Sequence, residues 1–257
     1  MSKRRTASST RMLMNGRFKW RPFLGWLLLA GLALQLVFAA QLMVYAFVTP
    51  RSTAFQRSEF VRLLVSPSVR FQWSHDVVAG DELSKHLRRA LIASEDSEFA
   101  THWGFDMEAL ESAWRRNERA QERAEQSKRP PKRVKVVGGS TVTQQLAKNL
   151  FLSGERHLPR KAQELAITLM METLWSKSRI LDVYLNSVEW GEGVFGAQAA
   201  AQRIYRLDAN RLGPWESARL VVMLPSPKRY AKLPNSPYLT NRAATIMARM
   251  NDVEVPR

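Results

Sequence analysis

Residues 22–48 are apolar except for Gln35, Gln41 and a few small residues, and residues 1–21 before them carry seven basic side chains and no acidic one. A helix rises about 1.5 Å per residue and the hydrocarbon core of a bilayer is about 30 Å thick, so the run is long enough to span with some tilt. Trp20 and Trp26 near one end and Tyr45 near the other suit the two interfaces. The one-sided positive flank orients the span, with residues 1–21 as a basic cytoplasmic tail and everything after residue 49 outside. Two alternatives fit less well. A cleaved signal peptide would have a shorter apolar run, and Phe38-Ala39-Ala40 makes a weak cleavage site. A buried core helix would not need a flank of one sign. The expectation is a transmembrane helix over residues 22–48, retained as a single-span anchor.

That anchor changes what the net charge means. The 257-residue chain is formally +16, which invites an anionic partner: nucleic acid, phospholipid or a phosphorylated substrate. With the tail set aside, 32 basic and 23 acidic side chains remain, a surplus of nine. A basic domain outside the cytoplasm does not meet nucleic acid, so the membrane and its anionic lipids become the natural partner. Cysteine is absent, which excludes disulfides and thiolate chemistry and leaves the compartment open. The length suits one sizeable domain beside the anchor.

Beyond the anchor the chain reads as mostly helical. Residues 49–75 are mixed, include Ser66-Pro67-Ser68, and read as a linker and membrane-proximal segment ahead of a domain over 76–250. Residues 81–97 predict a helix, with Leu83, Leu87, Ala90, Leu91 and Ser94 on one stripe. Residues 107–114 continue helically and run into RRNERAQERAEQSKRPPKRVK (115–135), with nine basic and three acidic residues and a Pro130-Pro131 break. That composition predicts a solvated, partly disordered loop; the functional alternative is a flap that brushes anionic headgroups.

GGSTVTQQLAKNLF (138–151) has a clear local logic. Gly138 and Gly139 allow backbone conformations closed to other residues. Thr141 and Gln144 fit a capping box that starts a helix near Val142. Val142, Leu146 and Leu150 share its apolar face, while Gln145, Lys148 and Leu152 project from another. The free N–H groups and dipole of a helix start favour an anion. Taken alone, the block is equally an ordinary capped helix with a solvated lysine. Pro159 can open the next helix, where Glu164 lies four residues after Arg160 and three after Lys161. A plain surface salt bridge explains that spacing too, worth about 0.3–0.5 kcal/mol. Glu95-Asp96 is equally readable as an acidic helix end before His102 and Gly104.

The combination says more than the parts. EDSEFATHWG (95–104), the Gly-Gly block, RKAQE (160–164) and KSRILDVYLN (177–186) stand in the order of the motif set of the peptidoglycan glycosyltransferases, which this chain resembles over roughly residues 70–250. WGEGVFGAQAAAQRIY (190–205) and ESARLVVMLPSPKRY (216–230) extend the similarity. No Ser-x-x-Lys or Lys-Thr-Gly occurs, so the resemblance is to the monofunctional, membrane-anchored members without a penicillin-binding transpeptidase domain.

The resemblance implies a mainly α, lysozyme-like glycosyltransferase domain with a membrane-proximal lobe, preceded by one transmembrane helix in the bacterial inner membrane and facing the periplasm. It implies lipid II as substrate, polymerised into β-1,4-linked glycan with inversion at the MurNAc anomeric carbon and release of undecaprenyl pyrophosphate. Glu95 matches the catalytic base and Glu164 the second acidic residue. Lys148 and Arg160 match the cations that neutralise the departing pyrophosphate. Ser140, Thr141, Gln145 and Asn149 match residues lining the donor site; Phe99 and His102 match positions near the base. No cofactor is obligatory; Mg²⁺ or Mn²⁺ at the pyrophosphate fits the chemistry, although His75, His86, His102 and His157 have no ligand spacing. Division or elongation proteins are candidate partners and nucleic acid is not. The rivals are a muramidase, which would also use carboxylates on a helical scaffold, and a non-catalytic membrane scaffold.

Overall fold

A computed structural model of the chain describes residues 20–127, 138–152 and 158–256. Most of the predicted cytoplasmic tail, the stretch with Pro130-Pro131, and His157 lie outside them. The chain divides into two units, residues 1–40 and 41–257.

In the first unit, α1 (Trp20–Tyr45) begins two residues before the apolar run and continues into the second. Its central window has a mean hydropathy of 2.2, and it is the one helix among the described residues long and apolar enough to cross a membrane. Only 6 % of that window is buried, which removes the core-helix alternative.

The second unit is mostly helical. Pro50 precedes α2 (Ala54–Val65), whose N-cap Thr53 closes a capping box with Gln56. Residues 49–75 are therefore not a simple linker. Gln56, Glu59 and Leu63 are buried, α2 packs on a later helix, and β1 (Ser74–His75) pairs in a sheet. The helix expected over 81–97 is broken. A 3-10 turn at Gly80–Glu82 precedes α3 (Lys85–Glu95). Ser84 separates them because its hydroxyl caps His86 N–H (3.2 Å) while donating to Leu212 O (2.6 Å).

The largest departure lies in α4 (Met107–Gln126), which carries helix twelve residues into the expected loop. Strong helix formers with Glu111–Arg115 and Gln121–Glu125 contacts at i,i+4 hold it, and Ala113 and Ala124 are buried. Then come α5 (Val142–Phe151), α6 (Leu158–Leu174), α7 (Lys177–Ser187), β2 (Glu189–Gly191), β3 (Val194–Phe195) and α8 (Ala197–Tyr205). They are followed by α9 (Pro214–Met223), the short α10 (Pro227–Tyr230) and α11 (Pro237–Arg249). β3 is the centre of a three-stranded sheet, parallel to β1 and antiparallel to β2.

One core group joins α3, α9 and α11, and another joins α5 with α2, α6 and α7. Tyr184, Phe99 and Leu146 are among the largest fully buried side chains. The end of α1 is tied to the second group. Trp175 Nε1 donates to Leu42 O (2.8 Å), and Arg179 donates to Tyr45 O through Nε and Nη2 (3.0 and 2.7 Å).

Candidate active site

Glu95 ends α3 because the next residue, Asp96, leaves helical geometry (φ −163°). Asp96 turns its buried carboxylate inward. Its Oδ2 accepts Val142 N–H at the start of α5 (2.9 Å) and its Oδ1 meets His102 Nε2 (2.7 Å). Gly104 N–H can only donate, so His102 Nδ1 accepts it (3.0 Å), and Nε2 carries the proton given to Asp96. A carboxylate at a helix N-terminus gains from orphan N–H groups and dipole together. Asp96 thus fixes where α3 stops, where α5 starts and where Glu95 sits.

The opening of α5 follows the sequence. Thr141 Oγ1 accepts Gln144 N–H (3.2 Å), Gln144 Oε1 accepts Thr141 N–H (3.2 Å), and Thr141 Oγ1 donates to Gly104 O (2.7 Å). The reason for the glycines differs from the expectation. Neither Gly138 nor Gly139 has a positive φ. A Cβ on Gly139 would lie 2.9 Å from Leu110 Cα and 3.2 Å from Ala109 O, so Gly139 lets α4 approach; Gly138 has open space.

Two cavities adjoin across this helix start. One, of about 330 Å³, is lined by Ser94, Glu95, Asp96, Asp106, Ser140, Thr141 and Arg242, among others. The other, of about 390 Å³, is lined on α5 and α6 by Gln145, Lys148, Asn149, Arg160, Lys161 and Glu164. Tyr184, Val188, Glu189, Phe55, Leu224 and Pro227 close it, and Ser140 lines both. Gln145 bridges them: its Nε2 donates to Glu95 Oε2 (3.4 Å) and its Oε1 accepts Tyr184 O–H (2.9 Å). Burial keeps Tyr184 protonated, with its pKa pushed well above the ordinary value and the charges of Glu95 and Asp96 adding to the effect.

Glu95 is half-buried. Desolvation raises its pKa above the ordinary carboxylate value, against the opposing hydrogen bonds from Gln145 and Ser94 and the charge of Arg242. Its protonation is therefore poised closer to neutrality, as a general base requires. Glu164 is 3 % exposed, so the surface-pair reading fails. Its carboxylate meets Arg160 Nη1 at 3.2 Å and Lys161 Nζ at 2.5 Å. With its negative charge answered twice, Glu164 holds the two cations of α6 in place.

Phe99 and His102 line neither cavity. Phe99 is wholly buried, with Lys177 Nζ 4.7 Å from its ring centre. Lys177 also binds His102 O (2.6 Å) and Glu172 (2.9 Å), so both residues belong to the support of the 96–104 turn. Thr141 likewise spends its hydroxyl on the cap. Asp96, Tyr184, Glu189 and Arg242 were not singled out from sequence. An acid in the apolar run SVEWG was a signal for Glu189; Arg242, on a distant helix, left none.

The pattern of the transglycosylase family matches residues 65–251. A biosynthetic peptidoglycan transglycosylase of Burkholderia orbicola (strain MC0-3) is 49 % identical over 231 residues, covering 89 % of this chain and 88 % of its own length. Proteins of the same description from Burkholderia thailandensis and Burkholderia ambifaria (strain ATCC BAA-244) are 47 % and 46 % identical. They cover 98 % and 100 % of this chain, and 93 % and 97 % of their own lengths.

Proposed function

Since this chain belongs to the transglycosylase family, we propose that it is a peptidoglycan glycosyltransferase that polymerises lipid II into β-1,4-linked glycan, inverts the MurNAc anomeric carbon and releases undecaprenyl pyrophosphate. One observation carries the reading. The half-buried carboxylate of Glu95 and a cation-lined groove meet at Gln145 and Ser140, within one short helix start.

The chemistry divides between the two cavities. Glu95 takes the proton from the 4-hydroxyl of the acceptor's GlcNAc, and that oxygen attacks the anomeric carbon of the donor. A base at a sugar hydroxyl is worth about 10²–10⁴-fold. The glycosidic bond to phosphate breaks as the new bond forms, and the electron pair leaves with the pyrophosphate. Lys148 and Arg160 lie where that charge develops, and fixed cations are most effective there. Gln145, held by Tyr184, keeps the base aimed; Ser140 and Asn149 offer hydrogen bonds to the donor. Among the described residues no three His, Cys, Asp or Glu side chains converge as a metal cage. A Mg²⁺ or Mn²⁺ ion bound with the pyrophosphate would supply further positive charge there.

The remaining expectations complete the proposal. α1 anchors the enzyme in the inner membrane by a single pass, N-terminus inside, with the catalytic domain in the periplasm and no transpeptidase activity. Division or elongation proteins stay candidate partners. A muramidase fits less well, because a hydrolase of finished glycan has no pyrophosphate for Lys148 and Arg160 to receive, and Glu164 is already ion-paired. Incubation with labelled lipid II and, separately, with preformed glycan tests the reading. Lengthening of the first supports it; shortening of the second without any lengthening makes the protein a muramidase, and neither reaction makes it a scaffold.

A further inference from the structure

Glu189 stands out from the groups used so far. It opens β2, is 5 % exposed, and lines the groove that holds Lys148 and Arg160. Its Oε1 is buried and has no hydrogen-bond partner among the described residues. Its other oxygen lies 3.6 Å from Lys228 Nζ, which is itself closer to Glu59 (2.5 Å). A buried carboxyl oxygen without a partner is costly, and no described side chain or backbone group bonds this one. The groove's other polar groups come from Ser140, α5, α6 and Tyr184 of α7, whereas Glu189 and Pro227 enter from β2 and α10.

We infer that Glu189 is a specificity-determining residue of this groove, whose free carboxyl oxygen hydrogen-bonds a hydroxyl or acetamido N–H on the sugar of the donor diphosphate. This rests on the reading of the groove as the donor site. The contact belongs to the sugar, not to the stem peptide or the lipid. A neutral carboxyl can make it by donating or accepting, and a neutral group does not oppose the diphosphate nearby.

The charge balance around Glu189 supports that state. Burial raises its pKa to about 7, helped by Glu59 and Glu192 and opposed by Lys228 and a backbone N–H from Gly193. Arg62 pairs with both Glu59 and Glu192. α10 also carries Arg229 and Tyr230, α8 carries Arg203, and His75 lies on β1. Across the groove stand Lys148, Arg160, Lys161 and Glu164. Below its pKa Glu189 is neutral and the donor binds well; above it the carboxylate adds a negative charge beside a diphosphate and KM rises.

The test measures kcat and KM of the full-length protein on lipid II between about pH 6 and about pH 8.5. Wild-type KM is expected to rise roughly five-fold across that range, with Glu189→Gln staying flat and close to the acid-side wild-type value. Glu189→Ala raises KM roughly ten-fold near pH 6 with kcat changed less than about three-fold. Lys228→Met, which keeps Glu189 but removes its counter-charge, moves the KM step to higher pH. The Ala penalty persists on lipid-linked disaccharide lacking the stem peptide. Thermal midpoints check that the variants fold. The inference is overturned if Glu189→Ala leaves KM unchanged, if wild type and Glu189→Gln share one pH profile, if Lys228→Met leaves the step in place, or if the penalty vanishes without the peptide. Should wild type polymerise nothing, the donor-site reading itself fails; should only the Glu189 variants behave as wild type, the failure is confined to this residue.

Discussion

Replacing Asp96 by Asn changes one buried carboxylate into an amide of the same shape, at the point where α3 and α5 meet. Asp96 is 6 % exposed and accepts from two donors, Val142 N–H at 2.9 Å and His102 Nε2 at 2.7 Å. Asn offers one acceptor oxygen and one NH₂ group, so one of those donors must face another donor. His102 cannot relieve the conflict by changing tautomer, since its Nδ1 already accepts Gly104 N–H. Hydrogen bonds to a charged group are worth about 1.5–3 kcal/mol each. Losing one outright and weakening the other by loss of charge gives a destabilisation of about 2–4 kcal/mol. For a domain of this size each kcal/mol moves Tm by about 2–4 °C, so Asp96→Asn should melt about 5–15 °C below wild type. The assay is the thermal midpoint in one detergent, alongside turnover. Turnover should fall roughly ten- to hundred-fold, because the residue beside Glu95 no longer holds it in register. His102→Ala, which leaves the Val142 bond intact, should cost less. An Asp96→Asn protein that melts within about 2 °C of wild type would refute the reasoning.

Arg160→Ala leaves buried Glu164 with the half-exposed Lys161 as its one ion-pair partner among the described residues and removes a groove cation. It should destabilise by about 3 kcal/mol and cut turnover roughly 10²–10³-fold, with Arg160→Lys recovering part of both; equal activity in Arg160→Ala would contradict the role. The pH dependence follows from Glu95, which acts as a base only when ionised. Because burial raises its pKa, kcat/KM should climb with pH along an acid limb lying above the ordinary carboxylate range; a limb at the model-peptide value of about 4.3 would count against it. Gly139→Ala drives a Cβ to 2.9 Å from Leu110 Cα and should cost about 1–3 kcal/mol in a melt. Gly138→Ala, with open space around it, should be near neutral.

How far the sequence could be read depended on the range of the interaction. The apolar run behind a basic flank and the Thr141–Gln144 cap are short-range signals, and α1 and α5 form where those signals lie. The stretch after Trp114 misled because its composition resembles a disordered segment, whereas i,i+4 pairing on strong helix formers carries α4 to Gln126. The break at Ser84 depends on a carbonyl 128 residues away, at Leu212, and no local pattern announces it. The site divides the same way. Glu95, Glu164, Lys148 and Arg160 were legible from ordered motifs. Burial of Glu164, the bridge from Tyr184 through Gln145, and the unpartnered oxygen of Glu189 arise only when β2, α5, α6 and α7 enclose one groove. Phe99, four residues after Glu95, is buried by packing that no local pattern shows.

The measurement that bears most directly on the central claim is polymerisation of labelled lipid II by wild type and by Glu95→Gln, counting undecaprenyl pyrophosphate released per glycosidic bond formed. The amide keeps the shape and the hydrogen-bonding reach of Glu95 but cannot take a proton. Wild type should release one pyrophosphate per bond, and Glu95→Gln should lose about 10²–10⁴-fold in rate while still folding and still binding lipid II. Chain formation by Glu95→Gln at the wild-type rate would contradict the assignment of the base and, with it, the proposed mechanism.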